Sequence, residues 1–175
     1  GAPNACRRRT AAAAVMAAVL AVAAGALSAE TVVLEDFEQL PEGSAAAAVT
    51  EGKGVTHGKQ AALLRAQAAV TVNMKALDPN VGAWLKLDTL TTQPLVQPLV
   101  LSFKSHSGSV VVRKVAHVQP GQDTVWLPIS AFWGKFGGEW PGPLESMELT
   151  NPGPEPITID HLRTEPAAAP PTGTL

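Results

Sequence analysis

Asp36 and Glu38 stand two residues apart in an extended stretch, so their side chains leave the chain on one face. With Asp160, in the final apolar stretch, they make a set of hard oxygen donors of the kind Ca²⁺ prefers. Three solvated acids at a sheet edge would read the same way. A second group is aromatic. Trp133, Phe136 and Trp140 share a segment with Gly134, Gly137, Gly138 and Gly142. Glycines leave little side chain nearby to bury large rings. The three are therefore candidates for an exposed platform, suited to the apolar face of a pyranose or to a protein partner. Folding back as caps on the core is the alternative. Arg113 and His117 are four apart on a predicted strand and share a face with Val111 and Val115. Trp84 and Trp126 lie in apolar stretches and are predicted to be core.

Catalytic signatures are missing. No His-Glu-x-x-His or Gly-x-Ser-x-Gly motif occurs. The stretch from Gly52 to Lys59 is no phosphate loop: Lys53 stands where the first glycine belongs, and Gln60 replaces the metal-binding hydroxyl. His57, His106, His117 and His161 are scattered, and Cys6 is the only cysteine, so no zinc spacing is present. Glu139 and Glu145 are a glycosidase pair only in the sense that any two nearby acids are. The chain is predicted not to be an enzyme.

The elements that must position these residues are strands. Residues 1–29 are set aside first. Arg7, Arg8 and Arg9 precede the uncharged run Ala11 to Ala24, and Ala26-Leu27-Ser28-Ala29 offers a small-residue cleavage site. This is the pattern of a secretory signal peptide, by the general or the twin-arginine route. The run is shorter and more alanine-rich than a membrane span, so no span is expected after cleavage. The chain opens on Gly1, and a start upstream is expected. A secreted, periplasmic or cell-envelope location follows. Without the three leader arginines, 10 basic residues face 15 acidic ones. That acidity argues against nucleic acid or an anionic membrane as partner.

About ten short stretches of apolar alternation follow, from Thr31–Phe37 to Ile157–Arg163, punctuated by Gly and Pro. Leu99–Ser105 and Ser109–Val118 are the clearest hairpin, turning at His106-Ser107-Gly108. The pattern predicts an all-β fold, an antiparallel sandwich over residues 30–164. Residues 165–175, rich in Pro and Ala, are predicted to be a disordered tail.

The order of several motifs resembles the galactose-binding-like, jelly-roll carbohydrate-binding modules. The resemblance is to the group holding family 11 and the complex I intermediate-associated proteins. The motifs are Glu35-Asp36-Phe37-Glu38, Gly58-Lys59-Gln60-Ala61-Ala62-Leu63-Leu64, Trp84-Leu85-Lys86-Leu87, Trp126-Leu127-Pro128-Ile129-Ser130-Ala131-Phe132 and Ile157-Thr158-Ile159-Asp160-His161-Leu162. The resemblance implies a jelly roll that binds a glycan or polysaccharide. It also implies a structural calcium between first and last strands, held by Asp36, Glu38 and Asp160. A sheet face of polar residues for sugar hydroxyls is implied too, for which Arg113, His117 and Asp88 are candidates. Such modules often grip sugars with tyrosine, and this chain has none. Stacking would fall to Trp133, Phe136 and Trp140. The alternative function is a cell-envelope structural or assembly protein that binds a protein partner through the same sandwich.

Overall fold

A computed structural model describes residues 30–77, 83–129 and 143–166 of the chain. Among the described residues nine strands are formed: β1 (Val32–Glu35), β2 (Ala45–Glu51), β3 (Gln60–Asn73), β4 (Ala83–Thr91), β5 (Leu99–Ser105), β6 (Val110–Ala116), β7 (Gly121–Pro128), β8 (Leu144–Thr150) and β9 (Ile157–Pro166). Every pairing is antiparallel. The strand order is β6-β5-β8-β3-β9-β4-β7, with β1 on β9 and β2 on β3. The expected antiparallel jelly roll is what the chain forms.

The strand count differs from the sequence reading at β3. Ala61–Arg65 and Val70–Met74 were predicted as separate strands, but one 14-residue strand covers nearly both. Its first half pairs with β9, Leu63 opposite Thr158, and its second half with β8, Val70 opposite Leu149. The exposed residues 65–67 are where it passes from one layer of the sandwich to the other, with Gln67 at φ 60°. Asn151, fully buried, holds this corner. Its Nδ2 donates to the carbonyls of Leu64 at 3.1 Å, Arg65 at 3.2 Å and Glu155 at 2.6 Å, and its Oδ1 accepts from Gly153 N at 3.2 Å.

Alternate residues fill the space between the layers. Leu64, Val70 and Val72 from β3 meet Leu85 and Leu87 from β4, Leu101 and Phe103 from β5, Met147 and Leu149 from β8, and Ile157 and Ile159 from β9. Phe37, just after β1, is buried at φ 55°. Burying a phenylalanine gains about 1.5–3 kcal/mol, which offsets a left-handed backbone cost of about 1–3 kcal/mol. Glu35 Oε1 fixes the turn by accepting from Phe37 N at 3.0 Å. β9 runs on through Glu165 and Pro166, opposite Trp84 and Ala83, so the sandwich extends two residues past its predicted end. No helix among the described residues is long and apolar enough to cross a membrane.

Candidate functional site

Alternation along β4 sends Leu85 and Leu87 into the core, so Trp84, Lys86 and Asp88 point outward. Register then gathers a polar cluster on this outer face. Lys86 lies opposite Trp126 of β7 and Arg163 of β9, and Asp88 lies opposite Thr124 and Asp160. A bulge at His161, φ 47°, shifts β9 by one residue between these two rows. Without that shift, Leu162 and Arg163 would exchange faces.

Arg163 is the clasp of the cluster. Its Nε donates to Glu165 Oε1 at 2.8 Å, and its Nη1 donates to Asp88 Oδ1 at 3.1 Å and to the His161 carbonyl at 2.9 Å. Lys86 pairs with the other Glu165 oxygen. Asp88 also accepts from the hydroxyls of Thr56 at 2.7 Å and Thr124 at 2.9 Å. Burial alone would raise its pKa; the bonds from Thr56, Thr124 and Arg163 outweigh that and hold it below the usual value. The bonds from Lys86 and Arg163 likewise lower Glu165.

Trp126 stands over this paired floor. Lys86 Nζ is 3.6 Å from its ring centroid, a cation–π contact. Trp84 meets it edge-on, with centroids 5.8 Å apart. The Trp126 side of the cluster is open: the residue is 54% exposed. Trp126 was predicted to be core and is instead the exposed aromatic of this face, because Val125 takes the inward position beside it. Across the sheet, Val33 of β1 stands opposite Arg163 and is 44% exposed. Trp126 and Val33 thus flank Lys86 and Arg163 in a row four strands wide, about 14 Å at normal strand spacing.

The loop between β2 and β3 lies over one end of this face. Asp160 Oδ2 accepts from Thr56 N at 2.6 Å and His57 N at 2.8 Å, and Glu38 Oε1 accepts from Lys59 N at 2.6 Å and Gln60 N at 3.0 Å. Gly54, φ +89°, comes so close to the sheet that a Cβ there would lie 2.7 Å from Thr158 Cγ2. The His57 ring stacks on His161, with centroids 4.4 Å apart. Burial, then the charge of Arg163, lowers the His161 pKa from its ordinary 6.5. The folded state therefore takes up that proton less readily than the unfolded chain. Neutral His161 contributes its full stability above 6.5, and the contribution is lost as pH falls from there through the lower folded value. The melting temperature should drop as pH falls below the ordinary histidine value of 6.5, and His161→Gln should flatten that part of the profile. An unchanged slope in the variant would show that other groups set it.

The three acids predicted to share calcium each accept a backbone hydrogen bond in this arrangement. Asp160 and Glu38 each turn an oxygen toward backbone N–H groups of the 56–60 segment, and Asp36 Oδ1 accepts from Glu38 N at 3.2 Å. Those donor hydrogens compete with a cation for the same three oxygens. Among the described residues, no group of three or more Asp, Glu, His or Cys is placed to hold a metal ion. Melting curves in excess calcium and in chelator are expected to superimpose. A fall in chelator that Asp160→Asn abolishes would reinstate the ion.

Of the remaining expected residues, Arg113 and His117 do not join this cluster. Arg113 lies on β6 at the far end of the strand order, with β5, β8, β3 and β9 between it and β4. It is exposed beside Val115, while Val112 and Ala116 turn inward. His117 follows β6 and lines a cavity of about 280 Å³ with Pro94, Leu95, Val96 and Pro120. Only Asp88 of the three polar candidates belongs to the clustered face. Trp133, Phe136 and Trp140 lie outside the described residues. The sequence reading missed Trp126, Lys86, Arg163, Glu165 and the His57–His161 pair as members of one surface.

No protein-family model and no curated protein matches the sequence. Solved structures do match its fold. A family 11 carbohydrate-binding module from Clostridium thermocellum, in complex with a β-1,3-1,4-mixed-linked tetrasaccharide, superposes at TM-score 0.56 with 15% identity, over 78% of this chain and 96% of that one. A family 30 carbohydrate-binding module gives TM-score 0.59 at 10% identity, over 82% and 91%. An exo-β-agarase matches at TM-score 0.54 and 12% identity, over 78% of this chain and 25% of the enzyme. The chain therefore shares the jelly-roll fold of these modules.

Proposed function

We propose that the chain is a non-catalytic glycan-binding module that holds its ligand on the outer face of β4, β7 and β9. The observation that carries this reading is Trp126. It is an indole half open to solvent, seated on Lys86 and bordered by the paired groups of Arg163, Glu165 and Asp88. An exposed ring suits the C–H face of a pyranose. Fixed, already charged donors and acceptors suit its hydroxyls without costly reorganisation. The paired floor orients hydroxyls and does not activate them, which favours binding over hydrolysis. The likeness in fold to carbohydrate-binding modules, two of them covered almost end to end, supports the reading. Residues 1–29 would act as an export leader, placing the module outside the cytoplasm with polysaccharide.

A glycan array probed with residues 30–175 tests it. Binding to a set of related polysaccharides is expected, with affinity that rises when several copies are displayed together. A blank array for both the single and the multivalent protein would reject the reading.

A further inference from the structure

A second surface, independent of the glycan reading, lies at the other end of the strand order. Between Asp88 and Asp123 the sequence contains no acidic residue, yet it contains Lys104, Arg113 and Lys114 together with His106 and His117. The rest of residues 30–175 holds all 15 acids against seven basic residues. With Lys104 paired to Glu148 of β8 at 3.0 Å, the β5–β6 hairpin offers the exposed Arg113 as an outward cation on an otherwise acidic domain. It is also apolar. Val96, at 77% the most exposed of the large hydrophobics among the described residues, belongs to this segment, as do Val110 at 46% and Val115 at 50%.

Within the strand order β6 is terminal, and among the described residues it pairs with β5 alone. Among the described residues, one edge of its backbone has no strand beside it, the situation that invites pairing. Arg113 and Val115 are exposed on its outward side, with Val111 half-buried on the same face. A second copy of this strand is a poor occupant. An antiparallel pair centred on Arg113 or Lys114 would set cation against cation, which destabilises directly opposed positions.

We propose that β6 is a docking edge for an extended acidic and apolar segment of another protein. That segment adds as a further strand, with an acid opposite Arg113 and a branched apolar side chain opposite Val115. Main-chain hydrogen bonds would supply affinity, and the Arg113 pairing would supply register and sign selection.

The test uses residues 30–175 and fluorescently labelled eight-residue peptides of alternating Val and Thr with two central Glu residues. Anisotropy should show saturable binding of the Glu peptide, and isotope-labelled amide shifts should concentrate on β6. The counterpart with Lys for Glu, and a Glu peptide N-methylated at alternate amides, should each bind at least about tenfold more weakly. Arg113→Glu should reverse the preference between the Glu and Lys peptides, and Arg113→Gln should abolish it. Both variants should keep the parent melting temperature, since Arg113 is exposed. No saturable binding of the Glu peptide would overturn the proposal. Equal binding of the two charge forms, indifference to N-methylation, or shifts on β4, β7 and β9 would do the same.

Discussion

Asn151→Ala is expected to lower the stability of the domain by about 3 kcal/mol, a large share of the roughly 5–15 kcal/mol available to a domain. The side chain is fully buried and makes four hydrogen bonds, three of them to carbonyls: Leu64 and Arg65 where β3 changes layers, and Glu155 in the turn before β9. Each buried acceptor left without a donor costs on the order of 1 kcal/mol or more, and alanine supplies none. Urea unfolding should show a lower midpoint at an unchanged slope, because the folded surface is the same. Asn151→Asp keeps the shape and separates bonding from packing. It turns an acceptor toward three carbonyls and should cost at least as much as alanine. Were aspartate tolerated while alanine was not, the corner would be held by volume instead. Backbone bonds also tie the two segments here, Gln67 N to Asn151 O at 2.9 Å and Asn151 N to Ala68 O at 2.9 Å. The variant should therefore remain folded at low temperature.

The strands were legible because apolar alternation is a local property. Trp84 to Leu90 and Leu99 to Ser105 carry it plainly, and both became strands. The corner in β3 was not legible. Arg65-Ala66-Gln67 interrupts the alternation as a turn would, and only the pairing with β9 before it and β8 after it shows one continuous strand. The site was partly legible. Val125 and Leu127 flank Trp126, and an inward Val125 already implies an outward indole. Composition was the wrong guide there, since tryptophan in an apolar run suggests core. Arg163 is a different case. The bulge at His161 reverses the parity of β9, and nothing local in Asp160-His161-Leu162-Arg163 announces a left-handed residue. The expected calcium set of Asp36, Glu38 and Asp160 carries a related ambiguity. Carboxylates at the start and end of a sandwich can meet a cation or can cap loop amides. Here the 56–60 loop lies close enough to claim Glu38 and Asp160.

Trp126→Ala is expected to weaken glycan binding by about 2 kcal/mol, close to 30-fold in Kd, which is the scale of an aromatic hot spot. Stability should change far less, because the residue is more than half exposed and its loss leaves Lys86 paired with Glu165. Trp126→Phe should recover part of the binding, since a smaller ring still stacks. Glu165→Gln probes the floor separately. It keeps an acceptor but removes the charge that holds Lys86 and Arg163, so it should weaken binding without removing the stacking surface. Titration of each variant against the best polysaccharide of the array supplies the measurement, with melting curves as the control for folding. Trp133→Ala and Trp140→Ala decide between two surfaces. If either abolishes binding while Trp126→Ala leaves it intact, the ligand rests on the segment around residues 133–140 and the β4–β7–β9 face is structural. If Trp126→Ala alone removes it, the indole over Lys86 is the platform, and the ion pairs beneath it keep that ring in place.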